Sequence, residues 1–161
     1  MENQNTVGGQ FKALNIIHAA ICTGVLIALC LFRYLVKKDP SVKPEANLVI
    51  EIAGVSIAFL CVLAARFLFF IRTKPALSVS SLGEKINIFR SAFIVQLALL
   101  DGAAIINAAF YYLNKNDIHF FIALGVLLLM IFRRPTRVMA AMVLFNSNED
   151  LQQIYEDDLP V

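Results

Sequence analysis

The sequence has few charged residues: Asp, Glu, Lys and Arg together make up 16% of its 161 positions. A soluble domain carries about 25%. Hydrophobic residues make up 59% of the chain, and the mean hydropathy is +0.72. The charges also cluster at the boundaries of four long apolar runs. This pattern argues against a soluble globular domain and predicts an integral membrane protein.

The residue patterns that usually carry chemistry are also missing. The three cysteines, Cys22, Cys30 and Cys61, lie inside apolar runs without a C-x-x-C pair, which argues against a disulfide framework or a zinc site. The sequence has no Ser/His/Asp or Cys/His arrangement, no H-E-x-x-H, no glycine-rich phosphate loop and no basic-aromatic face. We therefore expect no enzymatic activity, cofactor, metal or nucleic-acid partner. Residues 1–12 lack a charged region followed by a cleavage site, so we expect no cleavable signal peptide.

The four apolar runs predict an all-α membrane protein. A membrane-spanning helix needs about 20 mostly apolar residues. The predicted spans cover residues 13–36, 48–71, 91–113 and 118–134, within a four-helix bundle of residues 1–137. The fourth span is short and includes the apolar stems of Arg133 and Arg134. The tight polar turn "NKND" predicts an antiparallel hairpin of spans three and four.

Basic residues predict the orientation of the spans, because cytoplasmic loops are enriched in Lys and Arg. One side would carry nine of them: Lys12, Arg66, Arg72, Lys74, Lys85, Arg90, Arg133, Arg134 and Arg137. The other would carry five: Arg33, Lys37, Lys38, Lys43 and Lys115. Both termini are therefore predicted to be cytoplasmic, in a multi-pass protein of the bacterial inner membrane.

Residues 138–161 are predicted to form an interfacial segment and an acidic cytoplasmic tail. Pro135 should end the fourth helix, and residues Val138 to Phe145 are too few to span a membrane. Ser147 followed by Asp150 resembles a capping box and predicts a short helix near Glu149 to Glu156. The acidic end is interpreted as a solvated terminus or, alternatively, as a docking segment.

Spans one and three resemble each other at an offset of 78 residues, where Gly24 meets Gly102 and Tyr34 meets Tyr112. Either chance in a biased composition or two tandem hairpins of the same orientation would explain this. Small residues four apart also recur in three spans, where they would allow close helix packing. These predicted packing residues are Ala20, Gly24 and Ala28 in span one, Gly54 and Ala58 in span two, and Ala98 and Gly102 in span three.

Asp101 is an acidic residue in the middle of the third apolar run, where a charge is unexpected. It lies 11 positions after Arg90, about 16 Å into the membrane at 1.5 Å per residue. An unpaired carboxylate at that depth costs about 2.5–3.5 kcal/mol. An apolar environment favours the protonated form, so Asp101 is a candidate proton-binding residue or a silent buried acid. We expect it against span one or two, hydrogen-bonded to Thr23 or Ser56, or covered by a partner helix.

The remaining polar residues of the spans are predicted to make contacts inside the membrane. Arg33 and Glu51, near the outer ends of spans one and two, are expected to face each other. His119 is expected at the outer membrane surface.

On the inner side, Arg66 would contact His18 or Gln96, or extend towards the headgroups. Gln96 and Asn107 lie 11 residues apart on one helical face and are interpreted as interhelical hydrogen-bonding groups.

The stretch "LALLDGAAIINAAFYYL", followed by a short span ending in "RRPTR", resembles a family of uncharacterised four-helix bacterial membrane proteins. In that family a span reads roughly A-L-L-E-G-x-A and the last one closes with R-P-T before an acidic tail. Here Asp101 and Gly102 stand at the acidic and glycine positions, and Arg134, Pro135 and Thr136 form the closing motif. The resemblance implies membership but no activity.

A more distant likeness is to the proteolipid c subunits of rotary ATP synthases, which are helical hairpins with one acid in the middle of the membrane. Asp101 would be that acid. However, the alternating-glycine helix of these subunits is missing, and Asp101 lies in the first helix of its hairpin instead of the second.

These observations favour a non-enzymatic subunit or accessory protein of a membrane complex, bound to partner subunits or to copies of itself. The alternative is a proton- or cation-translocating, proteolipid-like subunit that uses Asp101. A third hypothesis is a binder of lipids or hydrophobic ligands.

Overall fold

The chain is almost entirely helical. A computed structural model describes residues 6–38, 47–144 and 152–155, of which 92% are in helices and none forms a strand. The α-helices are α1 (Val7–Lys38), α2 (Leu48–Thr73), α3 (Leu82–Asn114), α4 (Asp117–Phe132) and α5 (Arg137–Leu144). Two 3-10 turns lie at Lys74–Ser78 and Gln152–Tyr155.

Helices α1, α2 and α3 are each long and apolar enough to cross a membrane. Helices α4 and α5 together reach the same threshold if they count as one broken span, so the described residues hold three or four candidate spans. This confirms the all-helical, membrane-span-rich architecture that the composition predicts.

Helices α1, α2 and α3 are longer than the predicted spans because polar residues extend them at their ends. Helix α1 begins at Val7, where the Thr6 hydroxyl accepts from the backbone N–H of Gly9 at 3.3 Å. A threonine hydroxyl satisfies a first-turn N–H group that has no partner within the helix. Helix α3 begins at Leu82 and carries Glu84 in its first turn, where a negative charge interacts favourably with the helix dipole.

Both ends of helix α4 are explained by neighbouring residues, a capping asparagine at its start and a proline after its end. Asn116 caps its first turn by accepting from the N–H of Ile118 at 3.1 Å, and Lys115 takes the left-handed conformation, with φ 52°, at the turn before it. The helix ends at Phe132, two residues short of the predicted span. Proline disfavours helical geometry in the residue before it and lacks the N–H to continue a helix, so Pro135 explains this end.

The described residues include only part of the C-terminal segment for which predictions were made. Helix α5 covers the region predicted to be interfacial, with Val138 and Met142 exposed and Ala141 buried. The helix predicted from Glu149 to Glu156 lies mostly outside the described residues, where only the 3-10 turn Gln152–Tyr155 is defined.

The chain divides into two compact units, which we describe separately. Unit 1 comprises Met1–Ala19, Arg66–Gln96 and Arg134–Val161. An aromatic cluster forms its core: Phe89 lies 6.2 Å from Phe11, 5.9 Å from Phe69 and 6.1 Å from Phe93, between ring centroids. Helix α5 packs against both 3-10 turns in this unit.

Unit 2 comprises Ala20–Ala65 and Leu97–Arg133. Its core is apolar: buried residues include Val25 and Leu29 of α1, Ala58 of α2, Leu97, Leu100 and Ala104 of α3, and Leu127 and Met130 of α4. The burial of many alanines lets the helices approach closely, which is typical of membrane helix packing.

Helices α1 and α3 are parallel neighbours with a register close to the sequence offset of 78. In unit 1, Phe11 contacts Phe89, a separation of 78. In unit 2, Arg33 bonds Tyr111, again a separation of 78. Residues that the offset of 78 matches in the sequence therefore contact each other, or lie near each other, on adjacent helices.

Candidate functional site

The most polar part of unit 2 surrounds the turn between α3 and α4, and Arg33 is its central cation. The Nη1 atom of Arg33 donates to Asp117 Oδ1 at 2.5 Å and to the Tyr111 hydroxyl at 2.6 Å. Its guanidinium carbon also lies 5.0 Å from the ring centroid of Phe120. The arginine thus combines an ion pair with a cation–π contact.

Glu51 bonds to the same turn but not to Arg33. Its Oε1 accepts from Asn116 Nδ2 at 2.6 Å, and Asn116 also caps α4. Arg33 and Glu51 thus bond to adjacent residues of one turn and not to each other, and their facing one another stays a prediction. The turn between α3 and α4 brings two polar residues, Asn116 and Asp117, to the ends of α1 and α2, and each takes one of the expected partners.

Asn107, two turns before the end of α3, joins α3 to α2 and α4 through its side-chain amide. Its Nδ2 donates to the carbonyl of Gly54 in α2 at 3.2 Å and to that of Ala103 at 3.0 Å, while its Oδ1 lies 3.2 Å from His119 Nδ1 in α4. Because Oδ1 is an acceptor, His119 Nδ1 must carry the hydrogen. Asn107 is thus an interhelical hydrogen-bonding group of the kind that the sequence suggests.

His119 is buried in the unit, with no exposed surface, although the sequence suggested a position at the outer surface. Its ring packs edge-on to Phe110 at 5.6 Å. Its Nε2 has no hydrogen-bond partner, and neither does the buried Nδ2 of Asn114. Among the described residues, no group of three or more His, Cys, Asp or Glu side chains could hold a metal ion. The arrangement therefore fits a role in joining helices.

At Gly54, α2 lies close to residues of α3 and α4. A Cβ atom there would lie 2.5 Å from His119 Cε1 and 2.9 Å from Asn107 Oδ1. Ala58, one turn later, is also buried. The small-residue face predicted in span two therefore lies in the packed core of unit 2.

The other two small-residue faces behave differently. A Cβ atom at Gly24 or Gly102 would meet no atom within 4 Å, and Ala20 and Ala98 are exposed. The close packing expected at these faces therefore does not occur within the described chain. Instead, α1 and α3 pack through other residues, and these faces point away from the core. Ala28, the last small residue of the α1 face, is half-buried.

Asp101 lies beside these open faces. It is half-buried, and within the described part of the chain it makes no hydrogen bond to any residue. The expected partners Thr23 and Ser56 are both exposed and do not bond to it. The side chain is close enough to Cys22 for an electrostatic interaction with the thiol. The carboxyl group therefore has no hydrogen-bond partner among the described residues.

In unit 1, no described hydrogen bond joins Arg66 to His18 or Gln96, the two contacts predicted for it. His18 is buried, with its ring 6.1 Å from that of Phe93. Arg66 is exposed, as expected if it extends towards the headgroups. Gln96 is buried, yet neither of its amide atoms has a hydrogen-bond partner. The interhelical bonds expected of Gln96 are therefore not formed.

Several residues of the polar turn were missed as functional candidates, namely Tyr111, Asn114, Asn116 and Asp117. One signal was present: Tyr111 is the position that an offset of 78 places opposite Arg33. The short polar turn also had to lie near the outer ends of the first two spans, which placed its side chains within reach of Arg33 and Glu51.

Comparisons with protein-family models, with curated proteins and with solved structures yield no match to this chain. The resemblance to four-helix bacterial membrane proteins, carried by Asp101, Gly102 and the Arg134–Thr136 motif, therefore stays a prediction. Function must be argued from the residues of this chain alone.

Proposed function

We propose that this protein is a non-enzymatic, integral subunit or accessory protein of a bacterial inner-membrane complex, and that a helix of a partner chain covers Asp101. The observation that supports the proposal most directly is the half-buried Asp101 carboxyl group, which no described residue hydrogen-bonds, beside two small-residue faces with open space. Small residues are the usual contact surface where membrane helices pack closely.

Energetics favour a partner over lipid at this position. A charged acid facing hydrocarbon near the bilayer centre costs about 2.5–3.5 kcal/mol on insertion scales. A donor from a neighbouring helix would offset much of this cost. The open face at Gly102 adjoins Asp101 in the chain, so a helix packed against that face would lie within reach of the acid. The partner is a different membrane subunit or a second copy of this chain.

The experiment is to place a photo-crosslinking residue at Ala98, beside Asp101, and a matched one at the exposed Phe121 on α4. After irradiation in the native membrane, we expect a discrete crosslinked species from position 98 and none from position 121. Native mass spectrometry of the gently extracted complex would identify the partner. A monomer without crosslinks from either position would contradict the proposal.

The proposed topology has four spans in two tandem hairpins, with both termini in the cytoplasm. The excess of basic residues on one side and the parallel register of α1 and α3 support it. A single cysteine at Lys115, in a chain with its native cysteines replaced, should react with a membrane-impermeant thiol reagent in cells with a permeabilised outer membrane. A cysteine at Ser78 should react only after the inner membrane is broken. The reverse pattern would overturn the orientation.

The alternative function is proton or cation translocation through Asp101. It is favoured by the same half-buried carboxyl group, which has no hydrogen-bond partner among the described residues and lies near the predicted centre of the membrane. Proteoliposomes with an internal pH dye would distinguish the two. A carrier loses flux in Asp101→Asn and retains some in Asp101→Glu, whereas a structural acid yields no flux in any variant, and Asn preserves assembly.

A further inference from the structure

Unit 1 contains a cavity that the proposed partner contact does not involve. It has a volume of about 350 Å³ and is open to the surface. The first turns of α1 and the segment between α4 and α5 line it: Gly8, Phe11, Lys12, Asn15, Arg134, Pro135, Thr136 and Arg137. Three of these eight residues are basic, namely Lys12, Arg134 and Arg137.

The cavity is organised by hydrogen bonds around Asn15. Its Nδ2 donates to the carbonyl of Phe11 at 2.9 Å and to that of Pro135 at 3.3 Å, so this amide joins α1 to the segment before α5. Its Oδ1 accepts from Arg134 Nε at 2.8 Å. Because the bond uses Nε, it orients the guanidinium group without using the two terminal nitrogens, which are the atoms that chelate oxyanions.

The start of α5 adds a second element. Thr136 caps this helix by accepting from the N–H of Met139 at 3.1 Å, and Arg137 is its first residue. The N-terminus of a helix carries partial positive charge and favours anions. The guanidinium of Arg137 is held on its other side by the carbonyl of Tyr155, at 3.2 Å from Nη1.

The predicted topology places the cavity at the level of the lipid headgroups. Lys12 directly precedes the first predicted span, and Arg134 is the last residue of the fourth. Both lie on the side that the basic residues predict to be cytoplasmic. Phe11 and Pro135, both buried, form an apolar wall. A basic pocket with an apolar wall at this level matches a ligand with a phosphate group and an acyl chain.

We propose that this cavity binds the phosphate group of an anionic phospholipid, with Lys12, Arg134 and Arg137 as its basic ligands. Asn15 is a positioning residue that acts through Arg134. The shared chemistry is that of a phosphate group, and the lipid is preferred over free phosphate because the cavity lies at the membrane surface and one wall is apolar.

The test is native mass spectrometry of the full chain in detergent, titrated with phosphatidylglycerol and, separately, with phosphatidylcholine. We expect one phosphatidylglycerol per chain and weaker binding of phosphatidylcholine. Since each basic residue near an anionic lipid contributes about fivefold, the triple variant K12Q/R134Q/R137Q should weaken binding about 100-fold. The matched control K37Q/K38Q/K74Q removes the same charge elsewhere and should change binding less than about twofold.

Two further single variants allow the proposal to be tested even if the triple variant does not fold. R134Q alone should weaken binding if the triple variant does not fold. Asn15→Leu leaves the net charge unchanged and should also weaken binding, because Arg134 loses its orienting acceptor. Equal losses in the cavity triple and the control triple would overturn the proposal, since they would reflect general surface charge. Displacement of bound lipid by millimolar inorganic phosphate would overturn the assignment to a lipid and identify free phosphate as the ligand.

Discussion

Replacing Gly54 with alanine adds a single methyl group at a close helix contact in unit 2. The new Cβ would lie 2.5 Å from His119 Cε1, 2.6 Å from His119 Nδ1 and 2.9 Å from Asn107 Oδ1. Optimal separations between carbon atoms are about 3.5–4.0 Å. The imidazole ring would therefore have to move by roughly 1 Å, as judged from that separation.

The ring has little room to move. His119 has no exposed surface, packs against Phe110, and is held by Asn107, which in turn bonds to the carbonyl of Gly54. Overpacking of this kind costs about 1–3 kcal/mol. Alanine also gains up to about 1 kcal/mol over glycine from helix propensity, so the net loss is smaller than the steric cost by that amount.

The controls are Gly24→Ala and Gly102→Ala, which receive the same gain in propensity but meet no atom within 4 Å. The difference between Gly54→Ala and either control therefore isolates the steric cost, about 1–3 kcal/mol. For a chain of this size that corresponds to a midpoint lower by about 2–12 °C. The difference in midpoint is measured by thermal unfolding in detergent, with circular dichroism as the signal.

Two outcomes would refute the reasoning. If Gly54→Ala unfolds at the same temperature as Gly24→Ala, α2 does not approach His119 as closely as described. If Gly54→Ala is destabilised but adding His119→Ala does not relieve the effect, the clash involves another residue. In the expected result, the steric cost largely disappears in the His119→Ala background, because the shortened side chain leaves space for the methyl group.

Other substitutions test the remaining polar contacts. Gln96→Met should raise the free energy of unfolding by about 1–3 kcal/mol, because neither buried amide atom has a partner. Asn107→Leu should lower it by a similar amount, because it breaks bonds to α2 and α4. Denaturant titrations of the two variants measure both changes, and the change in the free energy of unfolding must be positive for Gln96→Met and negative for Asn107→Leu. Asp117→Asn should cost less than about 1 kcal/mol, because its ion pair with Arg33 is exposed; a larger loss in the same titration would show that the pair is shielded from solvent.

Gly54 and Gly24 show how far small-residue patterns can be interpreted from a sequence. Both belong to faces with small residues four apart, yet only Gly54 lies at a helix contact. The spacing defines a face on each helix but does not define which face meets a neighbour. That choice depends on how all the helices pack, so the sequence could not distinguish a core contact from an open surface.

The cavity next to Arg134 was also beyond prediction. Lys12, Arg134 and Arg137 were interpreted as basic residues that set the orientation of the spans, and Arg134 also as part of the closing motif, but none as a binding residue. Their convergence depends on Asn15, a residue with no recognisable motif, which bonds across to Pro135. A hydrogen bond between residues 120 positions apart leaves no local pattern in the sequence.

The sequence by itself determined that this chain is helical and rich in segments able to cross a membrane, because apolar length and charge depletion are properties of consecutive residues. It also placed the polar turn between the last two long segments, since the residues "NKND" interrupt an otherwise apolar stretch. The tertiary structure alone decided that Arg33 pairs with Asp117, that Glu51 pairs with Asn116, and that Asp101 stays unbonded in the described chain. Such pairings depend on the rotation and height of each helix relative to its neighbours, and packing of the whole unit sets both.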